Sequence, residues 1–216
     1  MQKVIEYLFN CKEVVNVSDD DIFEVQPGVY SSIYVNFKAT LSDAKTRQAI
    51  SKIVSQEIGN DCDYICGIES GGSYYAASVA DSLNKKLILF RKNRKKYNIK
   101  NRFAGILPNF GDRVIVVDDV MSSGNTIARA VNSLKNMGCK VDVVVIFSYC
   151  WEDVIAKNLR IDIKAISNAV ELIRYGLEKN VISEKNAQLI YEYIKREETR
   201  VYGYKRPVER GEHVYA

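Results

Sequence analysis

Histidine is nearly absent from this chain: the single one, His213, lies in the C-terminal tail. Histidine-based metal centres and Ser-His nucleophile pairs therefore have nothing to stand on. Neither a Walker-type Gly-x-x-x-x-Gly-Lys loop nor a Gly-x-Gly-x-x-Gly turn occurs, so the usual nucleotide fingerprints are missing too. No apolar run nears the roughly 20 residues that a membrane-spanning helix requires. Met1 to Phe9 includes Lys3 and Glu6 and has no uninterrupted apolar core, which argues against a secretory leader. The five cysteines (Cys11, Cys62, Cys66, Cys139, Cys150) make an odd count, and reduced thiols in the cytoplasm are the expectation. Cys62 and Cys66 have no second pair and no nearby histidine to complete a tetrahedral site. The formal charge of +4 is too small to imply general nucleic-acid binding.

What remains is a chain of 216 residues, 47% hydrophobic and 27% charged, enough for one well-buried α/β domain. No internal repeat and no linker-like stretch divides residues 1–216, so a single domain is expected.

The most informative stretch runs from Val114 to Thr126. Val114-Ile115-Val116-Val117 reads as a strand buried on both faces, the type found in parallel sheets. Two carboxylates, Asp118 and Asp119, end it, and Val120 and Met121 lead into the small-residue turn Ser122-Ser123-Gly124-Asn125-Thr126. Ile127, Val131 and Leu134 then recur at helical spacing as far as Gly138, a C′ residue. Ligands of open α/β sheets bind beyond the carboxyl ends of strands, where helix N-termini also point. Backbone N–H groups and hydroxyls of the turn suit a dianionic phosphate monoester. Carboxylates repel phosphate but accept hydrogen bonds strongly, so the acid pair suits a vicinal diol. A ribose 5-phosphate satisfies both.

This stretch resembles the phosphoribosyl-pyrophosphate (PRPP) signature of type I phosphoribosyltransferases: four apolar residues, two acids, then a Ser/Thr–Gly–Thr loop. The resemblance implies that Asp118 and Asp119 hold the ribose hydroxyls. It places the 5-phosphate on Ser122, Ser123, Gly124, Asn125 and Thr126, with Val120 and Met121 also counted as substrate-binding.

Two further stretches suit the same ligand. Asp63 to Ile68 reads as a buried strand running into Glu69-Ser70-Gly71-Gly72-Ser73, with a helix from Tyr74 to Leu83. A glycine turn between strand and helix is a second anion-binding arrangement; in the resembling family it takes pyrophosphate. Leu87 to Phe90 is the next strand, and it delivers a cationic run containing Arg91, Lys92, Arg94, Lys95, Lys96, Lys100 and Arg102. Cations there would neutralise a departing pyrophosphate.

The spacing Arg91-Lys92-x-x-Lys95 resembles orotate phosphoribosyltransferases in particular. The resemblance implies that Lys95 is catalytic, carried on a mobile loop over the neighbouring subunit's site in a homodimer, with Arg91 and Lys92 also binding substrate. Tyr97 stands where that family commonly has histidine. Residues 98–112 are expected to form the loop. Phe23 to Lys38 reads as an N-terminal hairpin turned at Pro27-Gly28 and resembles the same family, with Gln26 and Tyr34 as candidate base contacts. After the strand Val141–Phe147, Tyr149 and Cys150 replace the family's usual Asp-Arg. Residues 164–197 carry helical patterns, and Ser183 with Glu184 and Asn186 resembles a helix start. The tail 199–216 extends beyond the resemblance.

The expected architecture is α/β: a central, mostly parallel sheet flanked by helices, with a small hood built mainly from residues 1–40. The implied reaction moves ribose 5-phosphate from PRPP to orotate, giving orotidine 5′-monophosphate and pyrophosphate, with Mg²⁺ held mainly by PRPP. A purine phosphoribosyltransferase and a non-catalytic PRPP-binding regulator are the alternatives. Partners in nucleic acid or membrane are not expected.

Overall fold

A computed structural model describes residues 2–17, 23–26, 29–31, 33–92, 102–149 and 152–203. It begins with α1 (Gln2–Asn10), whose Val4, Ile5 and Leu8 are buried as the helical spacing predicts. Four short strands follow: β1 (Val15–Val17), β2 (Phe23–Gln26), β3 (Val29–Ser31) and β4 (Ile33–Val35). They pair antiparallel as β1 with β4 and β2 with β3. The expected single hairpin over 23–38 is therefore two small sheets, because Ile33 and Val35 bury their side chains while pairing with β1. Its Pro27-Gly28 turn lies outside the described residues.

After a 3-10 turn (Phe37–Ser42), α2 spans Ala44–Ile58. Asp43 caps it, accepting at Oδ1 from the N–H groups of Lys45 (2.8 Å) and Thr46 (3.1 Å). The remainder alternates: β5 (Tyr64–Ile68), α3 (Gly71–Leu83), β6 (Lys86–Phe90), β7 (Phe103–Ala104), β8 (Arg113–Met121), α4 (Asn125–Asn136), β9 (Lys140–Ser148), α5 (Glu152–Leu159), β10 (Ile163–Asn168), α6 (Ala169–Glu178) and α7 (Glu184–Gly203). No described helix is long and apolar enough to cross a membrane.

The central sheet has six strands in the order β10-β9-β8-β5-β6-β7, parallel throughout except at β7. Its middle is the β-branched run of β8, where Val114, Val116 and Val117 are fully buried. From β5 the chain first moves one way, through α3 to β6. It then returns to the other side for β8, β9 and β10. Right-handed crossovers therefore put α3 and α4 on opposite faces. The order reverses between β5 and β8, and at such a switch point the two strand ends splay a crevice open.

Several boundaries differ from the expectation. α3 begins at Gly71 rather than Tyr74, so both glycines belong to its first turn. β8 continues through Asp118, Asp119, Val120 and Met121, and only Ser122–Gly124 are left as turn. Residues 164–168, expected as helix, belong to edge strand β10; its irregular, partly buried pattern is weak evidence in a sequence. The expected loop 98–112 is docked from Phe103, where β7 pairs with β6 through Leu89 and Phe90.

Candidate active site

The turns after β5 and β8 leave the sheet side by side, since Gly67 lies opposite Val117. The acid pair belongs to the second of them. Asp118 is buried at 8% exposure, Asp119 is half-buried, and the Asp119 N–H donates to Asp118 Oδ1 at 3.0 Å. Burial first, and the neighbouring carboxylate second, hold the Asp118 carboxyl well above the ordinary carboxylate range; Lys92 partly offsets this.

The two turns form one surface. A Cβ on Gly71 would stand 1.7 Å from Asp119 Oδ2, and one on Gly72 would stand 2.6 Å from the Val117 carbonyl oxygen. Only glycine allows α3 to begin this close to the carboxylates. In the second turn Gly124 has φ +71°, and a Cβ there would meet Ile155 at 2.4 Å. The left-handed backbone and the Ile155 side chain together favour glycine where the chain swings into α4.

Neither α3 nor α4 has a side-chain cap: Ser70 and Gly124 make no capping hydrogen bond. Both helix N-termini thus present open backbone N–H groups at the same end of the sheet. Ser122, Ser123 and Thr126 are half-buried and Asn125 is exposed beside the second of them. Open donors beside paired acceptors are the chemistry that a phosphorylated sugar needs. Val120 and Met121 contribute differently from the expectation. Both are strand residues, and the Met121 side chain is 1% exposed in the core, so it can offer a ligand only its backbone.

Arg91 follows β6 directly. Its Nε lies 3.4 Å from Glu69 Oε1. The Glu69 N–H donates to the Phe90 carbonyl at 2.9 Å, and the Glu69–Ser70 peptide is cis. The Arg91 N–H donates to the Arg102 carbonyl at 2.8 Å, and Arg102 Nη1 reaches the Lys92 carbonyl at 2.6 Å. Arg91, Lys92, Glu69 and Ser70 are thus gathered around the first turn. Lys95 and Tyr97 lie outside the described residues.

On the hood side Tyr34 is 39% exposed, with its ring 6.3 Å from that of Phe23. Gln26 ends β2 opposite Val29. Tyr149 is buried, its ring edge-on to Phe147 (5.4 Å) and Tyr193 (5.7 Å), and its N–H donates to the Met121 carbonyl at 3.3 Å. It therefore builds a wall beside the acid strand. Cys150 lies outside the described residues.

Sequence reasoning missed one support of this site. Thr40, fully buried, donates to the Phe37 carbonyl (2.5 Å) and lies 2.5 Å from the Tyr75 hydroxyl in the second turn of α3. Burial, the main cause, pushes the Tyr75 phenol up to about 12. Nothing local in the sequence marks a pair separated by 35 positions.

Cys11, Cys62, Cys66 and Cys139 are free and buried, and burial pushes the Cys66 thiol up, which disqualifies it as a nucleophile. Among the described residues no group of three or more His, Cys, Asp and Glu could hold a metal ion.

A phosphoribosyl transferase domain matches residues 38–179. Orotate phosphoribosyltransferase from Staphylococcus haemolyticus is 30% identical over 188 residues, covering 84% of this chain and 92% of its own. The structure of orotate phosphoribosyltransferase from Aeropyrum pernix superposes with a TM-score of 0.66 at 22% identity, over 81% of this chain and 96% of that one. The Mycobacterium tuberculosis enzyme of the same name, solved in complex with PRPP, superposes with a TM-score of 0.58 at 15% identity, over 79% and 90%.

Proposed function

The chain belongs to the phosphoribosyltransferase family, and on that premise we propose that it transfers ribose 5-phosphate from PRPP to orotate. The observation that carries the reading is the junction of β5 and β8. There an acid pair, Asp118 buried and Asp119 half-buried, touches a glycine turn, and two uncapped helix N-termini open beside it. Orotate as acceptor rests on the relatives of that name, 27–30% identical over most of the chain.

In this reading a ring nitrogen of the base attacks the anomeric carbon. The new C–N bond forms as the bond from that carbon to the pyrophosphate oxygen breaks. Pyrophosphate leaves with the electron pair, and the nitrogen's proton passes to solvent. Asp118 and Asp119 hold the ribose hydroxyls and face the positive charge that develops on the sugar. The N–H groups of Ser122–Thr126 hold the 5-phosphate, and those of Ser70–Gly72 hold pyrophosphate. Arg91 and Lys92 balance the leaving charge from the end of β6.

Mg²⁺ fits this donor set: crowded carboxylates and phosphate oxygens are hard ligands, and a cation would relieve the crowding at Asp118 and Asp119. Bound with the pyrophosphate, it would supply further neutralisation of the leaving group. We assign Lys95 the role of closing over the pyrophosphate of a neighbouring subunit in a homodimer. The free thiols agree with a reducing, cytoplasmic setting.

The test is pyrophosphate release from PRPP and Mg²⁺ with orotate, adenine, hypoxanthine, xanthine or uracil. Turnover with orotate alone is expected. Turnover with a purine instead would keep the chemistry and replace the base. Tight PRPP binding without turnover on any base would make the protein a PRPP-responsive regulator. The role of Lys95 is checked by mixing two variants, Lys95→Ala and Asp118→Asn, at a PRPP concentration where neither turns over alone. Activity returns on mixing if the lysine acts across the interface, and stays absent if it acts within one subunit.

A further inference from the structure

The ion pair between Glu69 and Arg91 has no part in the scheme so far. Glu69 puts a carboxylate at the very turn that is to receive a polyanion, and that carboxylate faces Arg91. Its partner Arg91 is the first cation after β6. Both side chains are accessible, at 22% for Arg91 and 38% for Glu69, and the contact distance is 3.4 Å. An ion pair this exposed holds weakly. A pyrophosphate group offers the same guanidinium several oxygens and a bidentate geometry, which is the stronger partner.

The backbones on both sides are fixed independently of the pair. The Glu69 N–H is bonded to Phe90, and the Arg91 N–H to Arg102. Exchanging the partner of Arg91 therefore needs only side-chain rotation, with no movement of the sheet.

We propose that Glu69 is a positioning residue that competes with pyrophosphate for Arg91. In the free protein Glu69 holds the guanidinium at the lip of the turn. An arriving PRPP takes it over, and Glu69 reclaims it as pyrophosphate departs. The carboxylate thereby weakens binding of both substrate and product polyanion and speeds product release. This inference rests on the reading of the Glu69–Gly72 turn as the pyrophosphate site.

The test is Glu69→Gln in the full-length protein, titrated with magnesium pyrophosphate by calorimetry and assayed for PRPP turnover. Removing the competitor should tighten pyrophosphate binding about three- to tenfold. The KM for PRPP should fall in parallel, and pyrophosphate should become a stronger product inhibitor. A merely structural role would move these quantities the other way. The same substitution in an Arg91→Met background should have little effect, since nothing remains to compete for. Unchanged or weaker pyrophosphate binding by Glu69→Gln overturns the proposal. So does a full-sized effect without Arg91. Wild-type protein that fails to bind pyrophosphate would remove the reading of the turn and this inference together. Wild-type binding with no change in Glu69→Gln removes this inference alone.

Discussion

At the N-terminal edge of the central sheet Arg113 lies between Asp61 and Asp142 and ion-pairs with both, while its backbone N–H donates to Asp63 at 2.8 Å. Close by, Lys135 Nζ donates to the carbonyls of Leu159 (2.7 Å) and Arg160 (3.0 Å). At the C-terminal edge of the same strands, Asp118 has another carboxylate as its neighbour, and two helices begin without caps. At the first edge Arg113 and Lys135 find their partners within the chain. The other leaves acceptors crowded and donors open. Groups that a fold leaves unbalanced are the ones a ligand can balance, so the contrast separates the stabilising end of the sheet from the chemical end.

Three substitutions would sharpen or break this contrast. The largest effect is expected for Gly72→Ala. Its Cβ would meet the Val117 carbonyl oxygen at 2.6 Å and Asp118 Cα at 2.9 Å, and both are backbone that must shift. Denaturant melts should show a loss of about 1–3 kcal/mol, and calorimetry should show PRPP binding abolished. Wild-type PRPP affinity in this variant would mean that the two turns do not form one surface.

Asp118→Asn should weaken PRPP binding about 10- to 100-fold, the value of a hydrogen bond to a charged group. Its effect on stability runs the opposite way. The folded protein holds the Asp118 carboxyl above its ordinary range, so it binds that proton more tightly than the unfolded chain does. The associated stability is present at low pH and is lost as pH rises through the folded value. The asparagine variant should therefore melt higher than wild type at neutral pH, with the gap closing on acidification. Identical pH profiles for the two proteins would show that Asp118 carries no such strain.

Arg113→Met should have the smallest effect. Its side chain is 40% exposed, so solvent screening limits the loss to about 1 kcal/mol or less. KM and kcat should stay at wild-type values. A drop in kcat would connect the two edges and end the division between them.

The acid strand and its turn were legible because all their signals are local. Four β-branched residues, two acids and a small-residue turn occupy consecutive positions, and the structure brings them to the switch point between β5 and β8. Ser183 was legible for the same reason; its Oγ accepts from the Asn186 N–H at 3.2 Å at the start of α7. The glycine pair misled in a simple way. Two glycines read as loop, yet here they are helix, because contact with Asp118 and Asp119 leaves no room for a Cβ. β10 was missed because an edge strand buries only part of its alternation, and its Lys164 pairs outward with Glu57. Thr40 with Tyr75, and Glu69 with Arg91, depend on elements that meet only after the sheet has formed. Sequence spacing has no access to such pairs.

The hydrogen bond between Arg91 and Arg102, followed by the pairing of β7 with β6, also has a meaning for how the family can vary. The two ends of the segment carrying Lys95 are joined by the sheet itself, whatever lies between them. The sheet closes that ring through residues outside 93–101. Residues 93–101 are in that sense a cassette. Their length, and details such as a tyrosine in place of a histidine at position 97, can be rewritten while the sheet that positions the acids folds as before.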